Sequence, residues 1–331
     1  MLELGRLGEG LALRRVPELG REISPVADIR TLVTLIGIAR EFRPDIVHTH
    51  LAKAGTLGRV AARLAGAHAV VHTYHGTIFS GYFGRPKSRA FLEIERALSR
   101  VTTRIVAITP GQRREIVALG IGNEKKVVEI PLGLELAPFL TTPDQPSARR
   151  ALALPVDRPI VAIVARLVPV KDVSLFLRAM ASVPAPAFVV VVGDGELRAS
   201  LEAESGALGL SERCRFIGWQ KDMTAVYAAA DVVALTSRNE GSPVSLIEAM
   251  TSGKAVVSTA VGGVPDLVQS GTNGLLVPAG DDAAFGAAVR SLLADPALRT
   301  RLGANARQAM YPAYDVSRLV ANITALYDSL V

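Results

Sequence analysis

The chain has 331 residues, of which 49% are apolar and 21% are charged, and its only cysteine is Cys214. This length fits two domains of ordinary size, and the composition excludes wholesale disorder and a disulfide framework. The start shows no secretory signal pattern, and no apolar run approaches the ~18 residues of a membrane span, so a cytoplasmic location is expected.

The positive charge is concentrated in the first part of the chain. Residues 1–140 carry 20 Lys/Arg against 13 Asp/Glu, whereas the remainder carries 17 against 18. Two interpretations stay open: a solvated helix face, or a surface that meets an anionic membrane or anionic acceptor. Few aromatic residues and no binding module argue against nucleic acid. The densest stretch contains Arg85, Lys87, Arg89, Arg96, Arg100 and Arg104.

Short apolar runs alternate with helical patterns, which predicts βαβ units and parallel sheets. In the first half the predicted strands are 45–50, 69–74 and 104–109, and the helices are 54–65, 86–100 and 110–119. The proline-rich stretch 136–158 breaks the pattern and is predicted to be an interdomain linker.

A second alternating series follows the linker. Its strands are predicted at 159–165, 187–192, 213–217, 231–235, 255–258 and 274–277, and its helices at 171–181, 195–208, 222–230, 243–252 and from 281 onward. The tail 314–330 has one apolar helical face. The fold class is therefore α/β, with two doubly wound, Rossmann-like domains facing each other. Ligands are expected in the cleft where the carboxyl ends of both sheets meet.

The segment 237–250, SRNEGSPVSLIEAM, is the strongest candidate binding site. Ser242 suits a helix N-cap and Pro243 the first helical position, which leaves the amides of Val244 and Ser245 free to bind phosphate. Gly241 permits close backbone approach.

Glu240 and Glu248 bracket this helix start, with Glu248 roughly 7–8 Å along the axis from Pro243. Both carboxylates can accept hydrogen bonds from sugar hydroxyls. The alternative is an ordinary helix with two unremarkable acidic residues.

Three further strand ends point into the same cleft. Arg166 and Lys171 follow the strand 159–165, five residues apart, and can neutralise a diphosphate. Gly193 follows the strand 187–192 and permits a tight turn against a ligand, although this pattern alone is weak. Gly218 opens the loop GWQKD, which lies within range of a nucleobase.

The motifs ARLVPVKD, VVGDGE, FIGWQKD, EGSPVSLIE, AMTSGKAVV and GGVPDLV, taken together, resemble glycosyltransferase family 4, whose members have the two-domain GT-B fold. Glu240 and Glu248 match its E-x7-E motif. The resemblance is strong over 159–280 and weaker back to residue 28. It implies an acceptor-side domain at 1–145, a donor domain at 146–312 and a final helix at 313–331 that packs back on the first domain.

The resemblance also implies chemistry. Arg166 and Lys171 would bind the donor diphosphate, Glu248 the ribose and Glu240 the transferred sugar, with Val244 and Ser245 contacting the phosphate or sugar. Such enzymes transfer a hexose or N-acetylhexosamine with retention, without a metal or other cofactor. The expected donor is UDP-linked, and the expected acceptor is a hydroxyl of a lipid-linked or cell-envelope saccharide. A non-hydrolysing UDP-sugar 2-epimerase and an inactive nucleotide-binding remnant are the alternatives.

All five histidines fall in the first half. His48 and His50 alternate on one strand face, but no cysteine or carboxylate has the spacing of a metal site, so no metal is predicted. His75 lies beyond the strand 69–74, where the family has a histidine near the transferred sugar, and a catalytic role is favoured over a structural one. The family's initial strand–glycine turn–helix unit has no clear counterpart, because GRLGEG precedes no evident helix. A truncated first domain is therefore expected.

Overall fold

The computed structural model describes residues 12–20, 22–76 and 85–331. GRLGEG lies outside the described residues, as do the side chains of Arg85 and Lys87 from the basic stretch. The expectation that the initial unit is missing concerns the same undescribed start.

The first half forms a parallel sheet with helices around it. Its described strands follow the order β1-β2-β3-β4, with every pair parallel. Strand β2 has the predicted bounds, β3 is two residues shorter than predicted, and β4 was not predicted. The elements are α1 (Pro25–Phe42), β1 (Ile46–His50), α2 (Ala52–Ala65), β2 (Ala69–Tyr74), α3 (Arg85–Arg100), β3 (Arg104–Ala107), α4 (Pro110–Ala118) and β4 (Val127–Glu129).

The second half holds a six-stranded parallel sheet of order β10-β9-β8-β5-β6-β7. The predicted parallel, doubly wound architecture is confirmed, since the order reverses between β5 and β8. Its elements are α5 (Ala137–Leu140), α6 (Gln145–Ala151), β5 (Ile160–Val164), α7 (Val173–Ala181), β6 (Phe188–Val192), α8 (Arg198–Ala207), β7 (Cys214–Gly218), α9 (Met223–Ala229), β8 (Val232–Leu235), α10 (Val244–Thr251), β9 (Ala255–Thr259), α11 (Val264–Leu267), β10 (Leu275–Val277), α12 (Asp282–Ala294), α13 (Pro296–Met310) and α14 (Val316–Asp328).

The central strands of this sheet are buried on both faces. Every residue of β6 (FVVVV), β8 (VVAL) and β9 (AVVST) is buried, and helices cover both sides. Continuous β-branched runs of this kind are typical of parallel strands, because crossover helices shield both faces from water. The carboxyl ends of these strands are therefore rigidly held.

The prediction of an irregular linker over 136–158 is wrong in part. This stretch contains α5 and α6, and Asp144 caps α6 by accepting a hydrogen bond from the Ser147 amide at 3.0 Å. Arg149 is buried and donates to Asp231 Oδ2 at 2.7 Å, immediately before β8. The stretch is thus anchored to the second sheet through an ion pair that residue composition did not reveal.

The last helix, α14, lies against the first sheet. Its entry is fixed by a hydrogen bond from the Val316 amide to the Leu134 carbonyl at 2.9 Å. Leu326 then forms a small core with Val71, Val106 and Ile130 from the first half. The end of the chain therefore contributes directly to the stability of the first sheet.

A buried ion pair joins α2 to α3. Arg59 is fully buried and donates to both carboxylate oxygens of Glu95, at 3.0 and 2.8 Å. Tyr74, at the end of β2, donates to Glu95 Oε2 at 2.5 Å, and burial raises the pKa of this phenol. These three residues fix the helix pair relative to the strand that leads to His75.

We expect Glu95→Gln to lower the free energy of unfolding by about 3–5 kcal/mol, because it leaves the buried Arg59 guanidinium without a counter-charge. Glu41→Gln removes the exposed partner of Arg14 and should leave the free energy of unfolding almost unchanged, because water screens an exposed ion pair. Urea denaturation followed by circular dichroism measures both. Equal costs for the two variants would contradict the assigned role of the buried pair.

Candidate active site

A cavity of about 440 Å³ lies at the carboxyl ends of β5, β6 and β7, beside the start of α10. This position is where the strand order reverses, the usual ligand site of doubly wound sheets. Five residues expected at the donor site line it together: Arg166, Gly193, Val244, Ser245 and Glu248.

Helix α10 begins one residue later than predicted. Pro243 is its N-cap and Val244 its first residue, so the prediction of Ser242 as N-cap is wrong. The extended backbone of Pro243 places its carbonyl where it accepts from the Leu246 amide at 3.1 Å. The amides of Val244 and Ser245 have no partner within the described residues and remain available to an anion.

Ser242 has a different part in the site. Its hydroxyl oxygen is buried and lacks a hydrogen-bond partner within the described part of the chain. A buried hydroxyl without a partner is costly, and it sits directly before the free helix amides. Ser242 is therefore a candidate ligand-contacting residue, although not through capping.

Glu240 is held by two groups at once. Lys171 Nζ and Ser237 Oγ both donate to Glu240 Oε1, each at 2.5 Å. Ser237 is fully buried and Glu240 is nearly so. Lys171, expected at the diphosphate, thus neutralises Glu240 instead. It also lies in a short 3-10 turn, Pro169–Lys171, before α7.

Glu248 lies in the wall of the cavity and is half-buried. Burial raises the pKa of its carboxyl, and the opposing influence is a hydrogen bond donated by Tyr227 at 2.8 Å. Tyr227 is itself fully buried, so it holds Glu248 rigidly toward the cavity. A fixed carboxylate oriented in this way can accept hydrogen bonds from paired hydroxyls.

Arg166, which lines the cavity, and Arg238, in the loop before α10, differ in availability. Arg166 is exposed, and its guanidinium has no partner among the described residues. Arg238 is tied to Asp172 by an ion pair of 2.8 Å. Arg166 is therefore the cation of this pair that can bind an incoming anion.

Two glycines shape the turns at this edge of the sheet, and Gly193 itself lines the cavity. Gly193 has a φ of 122°, and a Cβ there would overlap the carbonyl oxygen of Ala165. Gly218 has a φ of 69°, and its carbonyl accepts from the Gly193 amide at 2.8 Å. Both turns thus need glycine, and they bring the ends of β5, β6 and β7 together.

The two halves touch at the loop that carries Glu240. A Cβ added at Gly241 would lie 2.7 Å from the carbonyl oxygen of His75, so this glycine permits the contact between the halves. Beside it, Asp266 Oδ2 accepts from the Gly111 amide at the start of α4, at 2.8 Å. His75 and Glu240, the two expected catalytic residues, are therefore brought to the same place.

His75 belongs to a cluster of three rings. Its Nε2 is hydrogen-bonded to His50 Nδ1 at 2.9 Å, and His50 stacks on His48 with ring centroids 4.4 Å apart. Burial lowers the pKa of all three, that of His48 to about 4. Among the described residues, no group of three or more His, Cys, Asp or Glu has the arrangement of a metal site.

Sequence reasoning missed the side chains that support this site. Tyr227 and Ser237 are buried and hold Glu248 and Glu240. Tyr227 lies 21 positions from Glu248, and Ser237, although only three residues before Glu240, carries no pattern that marks its contact. Trp219 lines the cavity with 73% of its surface exposed. Its place in the loop after β7 was the available signal, because an exposed tryptophan at a strand's carboxyl end suits stacking on a base.

No helix in the described part of the chain has the length and apolar character needed to span a membrane.

Comparisons with known proteins agree with this geometry. Residues 144–309 match the family model described as glycosyl transferases group 1, and residues 4–133 match a glycosyl transferase 4-like domain. The UDP-Gal:alpha-D-GlcNAc-diphosphoundecaprenol alpha-1,3-galactosyltransferase of Escherichia coli is 30% identical over 96% of this chain and 83% of its own. A D-inositol 3-phosphate glycosyltransferase of Kineococcus radiotolerans is 31% identical over 79% of this chain, which spans 66% of that relative.

Solved structures share the fold. Anabaena Alr3699/HepE in complex with UDP-glucose aligns with a TM-score of 0.81 and 25% identity, over 92% of this chain and 84% of its own. Sucrose-phosphate synthase from Thermosynechococcus elongatus aligns with a TM-score of 0.80 and 26% identity, over 93% and 80%. These similarities confirm the predicted GT-B fold.

We expect Gly193→Ala to lower the free energy of unfolding by roughly 3 kcal/mol or more, because the new methyl group meets the Ala165 carbonyl at a φ that suits only glycine. Gly209→Ala is the control, since Gly209 also has a positive φ but no atom lies within 4 Å of the place that a new methyl group would take. It should cost about 1–2 kcal/mol. Urea denaturation compares them, and a Gly193→Ala cost no larger than the control would refute the close approach.

Proposed function

The chain belongs to the glycosyl transferases group 1 family, and on that premise we propose that it moves a hexose or N-acetylhexosamine from a UDP-sugar to a hydroxyl of a lipid-linked saccharide, with retention of configuration. The observation that carries this proposal is the joint lining of one cavity by Arg166, Glu248 and the free amides of Val244 and Ser245. These groups match the phosphate and ribose of a nucleoside diphosphate.

We propose the following orientation for the donor in this cavity. The diphosphate lies between Arg166 and the start of α10, where a helix dipole and a guanidinium both favour negative charge. The ribose hydroxyls donate to Glu248, and the uracil lies toward Trp219. UDP is favoured as the carrier because the E. coli relative is named for UDP-Gal and the HepE structure contains UDP-glucose.

Transfer then takes place beside Glu240. The acceptor hydroxyl oxygen attacks the anomeric carbon on the face from which the diphosphate departs. The bond from that carbon to the diphosphate oxygen breaks, and the departing diphosphate takes up the hydroxyl proton. Arg166 and the helix amides stabilise the charge that develops on the leaving group, so we propose that no metal ion is required. Glu240, fixed by Lys171 and Ser237, accepts hydroxyls of the transferred sugar.

The proposed retention of anomeric configuration is supported by the linkages of donor and product. The E. coli relative is named for an alpha-1,3 linkage. UDP-hexoses such as UDP-galactose carry the sugar in α linkage, so an α product from such a donor is a retained one. NMR coupling constants of the product's anomeric proton distinguish α from β, and a β product would contradict this part of the proposal.

The acceptor is proposed to enter between the halves. A second cavity of about 200 Å³ is lined there by Thr109, Glu115, Glu240 and Gly263, among others. Burial raises the pKa of the Glu115 carboxyl, and no partner for it is present in the described ranges. Such a carboxylate favours neutral sugar hydroxyls over an anion.

Because the acceptor is lipid-linked, the protein would work at a membrane surface, with Arg89 and Arg100 exposed on α3.

Arg166→Ala should weaken UDP binding by about 10- to 100-fold, since a charge-assisted hydrogen bond contributes about 1.5–3 kcal/mol. Glu240→Gln should leave UDP affinity nearly unchanged but lower kcat for transfer by roughly 100-fold or more. Calorimetry measures UDP binding, and transfer from UDP-galactose to a synthetic GlcNAc-diphospho-lipid measures kcat.

Arg290→Ala is the matched control for Arg166, because Arg290 lies on α12 and bonds to Ser182 instead of facing the cavity. It should change neither quantity. Equal loss of UDP affinity in Arg166→Ala and Glu240→Gln would contradict the assigned geometry. A new UDP-sugar formed without acceptor would indicate an epimerase instead.

The affinity for a UDP-sugar should fall on mild acidification. Because burial raises the pKa of Glu248, this carboxylate is charged above its raised pKa and is neutralised as the pH falls through it, which weakens its bonds to the ribose. Tyr227→Phe removes a hydrogen bond that lowers this pKa, so the midpoint should move to higher pH. Calorimetry with UDP-glucose tests this, since its diphosphate is esterified at both ends and keeps its charge. Glu248→Gln should remove the pH dependence, and a dependence that persists there would refute the assignment.

A further inference from the structure

The histidine cluster at the carboxyl end of the first sheet supports an inference that rests on the proposed role of His75 at the reaction site. We propose that His50 is a positioning residue, which accepts a hydrogen bond from His75 Nε2–H and thereby leaves the Nδ1 lone pair of His75 to accept a hydroxyl of the bound sugar.

The geometry joins the two rings directly. His50 ends β1 and His75 follows β2, the neighbouring parallel strand. His50 Nδ1 and His75 Nε2 are 2.9 Å apart, and the ring centroids are 5.1 Å apart. One proton occupies such a hydrogen bond between neutral imidazoles. His75 Nε2 is thus committed to His50, and Nδ1 is the ring nitrogen left for a ligand.

The direction of the bond follows from tautomer preference. If His75 donates from Nε2, both rings adopt the Nε2–H tautomer, which is the more stable one for a free histidine side chain. If His50 donates from Nδ1, both rings need the less stable Nδ1–H form. The first arrangement therefore makes His75 Nδ1 a hydrogen-bond acceptor, which is the property that a hydroxyl donor requires.

The His50 ring is in turn held in place by the His48 ring. His48 stacks on it with an interplanar angle of 27°. Both nitrogens of His48 are engaged, Nε2 with Thr73 Oγ1 and Nδ1 with the Tyr327 hydroxyl of α14, each at 2.7 Å. The last helix thus fixes the orientation of the His48 ring, and the His50 ring stacks on it.

The electrostatic surroundings keep the pair neutral. Among the described residues, the titratable groups that interact with the cluster are His48 and His72 from the sheet and Tyr327 from α14. Glu240, paired with Lys171, belongs to the loop whose Gly241 meets the His75 carbonyl. Burial lowers the pKa of both His50 and His75, and the His75 charge lowers that of His50 further. Two imidazolium rings would point N–H groups at each other, so the pair takes up one proton at most as the pH falls.

The bond itself is tested by NMR on the full chain labelled with ¹⁵N-histidine. We expect a scalar coupling across the hydrogen bond between a protonated His75 Nε2 and an unprotonated His50 Nδ1, absent in His50→Asn. No coupling, or a proton located on His50 Nδ1, would overturn the proposal. This readout needs no substrate, so it stands even if the wild-type protein transfers no sugar and the proposed function fails.

The positioning role is tested with three variants. His50→Ala should lower kcat for sugar transfer by about 10-fold, below the roughly 10²–10⁴-fold contribution of a general base, with KM for the UDP-sugar unchanged. His50→Asn places an amide oxygen near the position of Nδ1 and should restore most of kcat. His68→Ala, at an exposed histidine before β2, should have no effect.

The pH dependence of kcat distinguishes a positioning role of His50 from a purely structural one. In His50→Ala the His75 ring gains water, so its pKa should rise toward the ordinary value and the acid limb of kcat should move to higher pH. An acid limb that stays in place, or an equal loss of kcat in His50→Ala and His50→Asn, would overturn the proposal. Circular dichroism melting confirms that each variant is folded.

Discussion

The contact of the two halves depends on glycine backbones that permit an approach closer than any side chain would allow. Gly241 lies against the His75 carbonyl, and Gly262, with a φ of 53°, lies against the backbone of Glu240. Gly263 lies against Gly241 in the same way. The contacts of Gly262 and Gly263 pack the Glu240 loop within the second half. The contact of Gly241 with His75, beside the hydrogen bond from Gly111 to Asp266, then brings the carboxyl ends of the two sheets close together. In the proposed function, the cavity beside α10 and the histidine cluster act on one substrate because the distance between these ends is short.

Glu240 and Glu248, the two glutamates of the site, have different hydrogen-bond partners. Glu240 is neutralised by Lys171 and oriented by Ser237, whereas Glu248 has only a neutral phenol as its partner. The first carboxylate is thus fixed by an ion pair, whereas burial raises the pKa of the second. Arg166 and Lys221 both line the cavity without a partner among the described residues, so cationic groups are available there to an anion.

The last helix connects the stability of the first sheet to its chemistry. Leu326 packs into the core of that sheet, and Tyr327, the next residue, bonds to His48. A single turn of α14 therefore contributes both apolar contact and a fixed ring beneath His50. The buried Arg59–Glu95 pair supports the end of the neighbouring strand β2, through Tyr74.

The sequence by itself determined the parallel α/β architecture and most strand positions, because long β-branched runs between helical patterns have few other stable arrangements. It also identified five of the residues that line the cavity beside α10, since parallel strands bring their carboxyl ends to one edge. Only the tertiary structure decided the partners of those residues: that Lys171 pairs with Glu240, that Pro243 replaces Ser242 as the cap, and that His50 holds His75. The Lys171–Glu240 pair joins residues 69 positions apart, and its formation depends on side-chain packing. The local sequence pattern does not determine this packing.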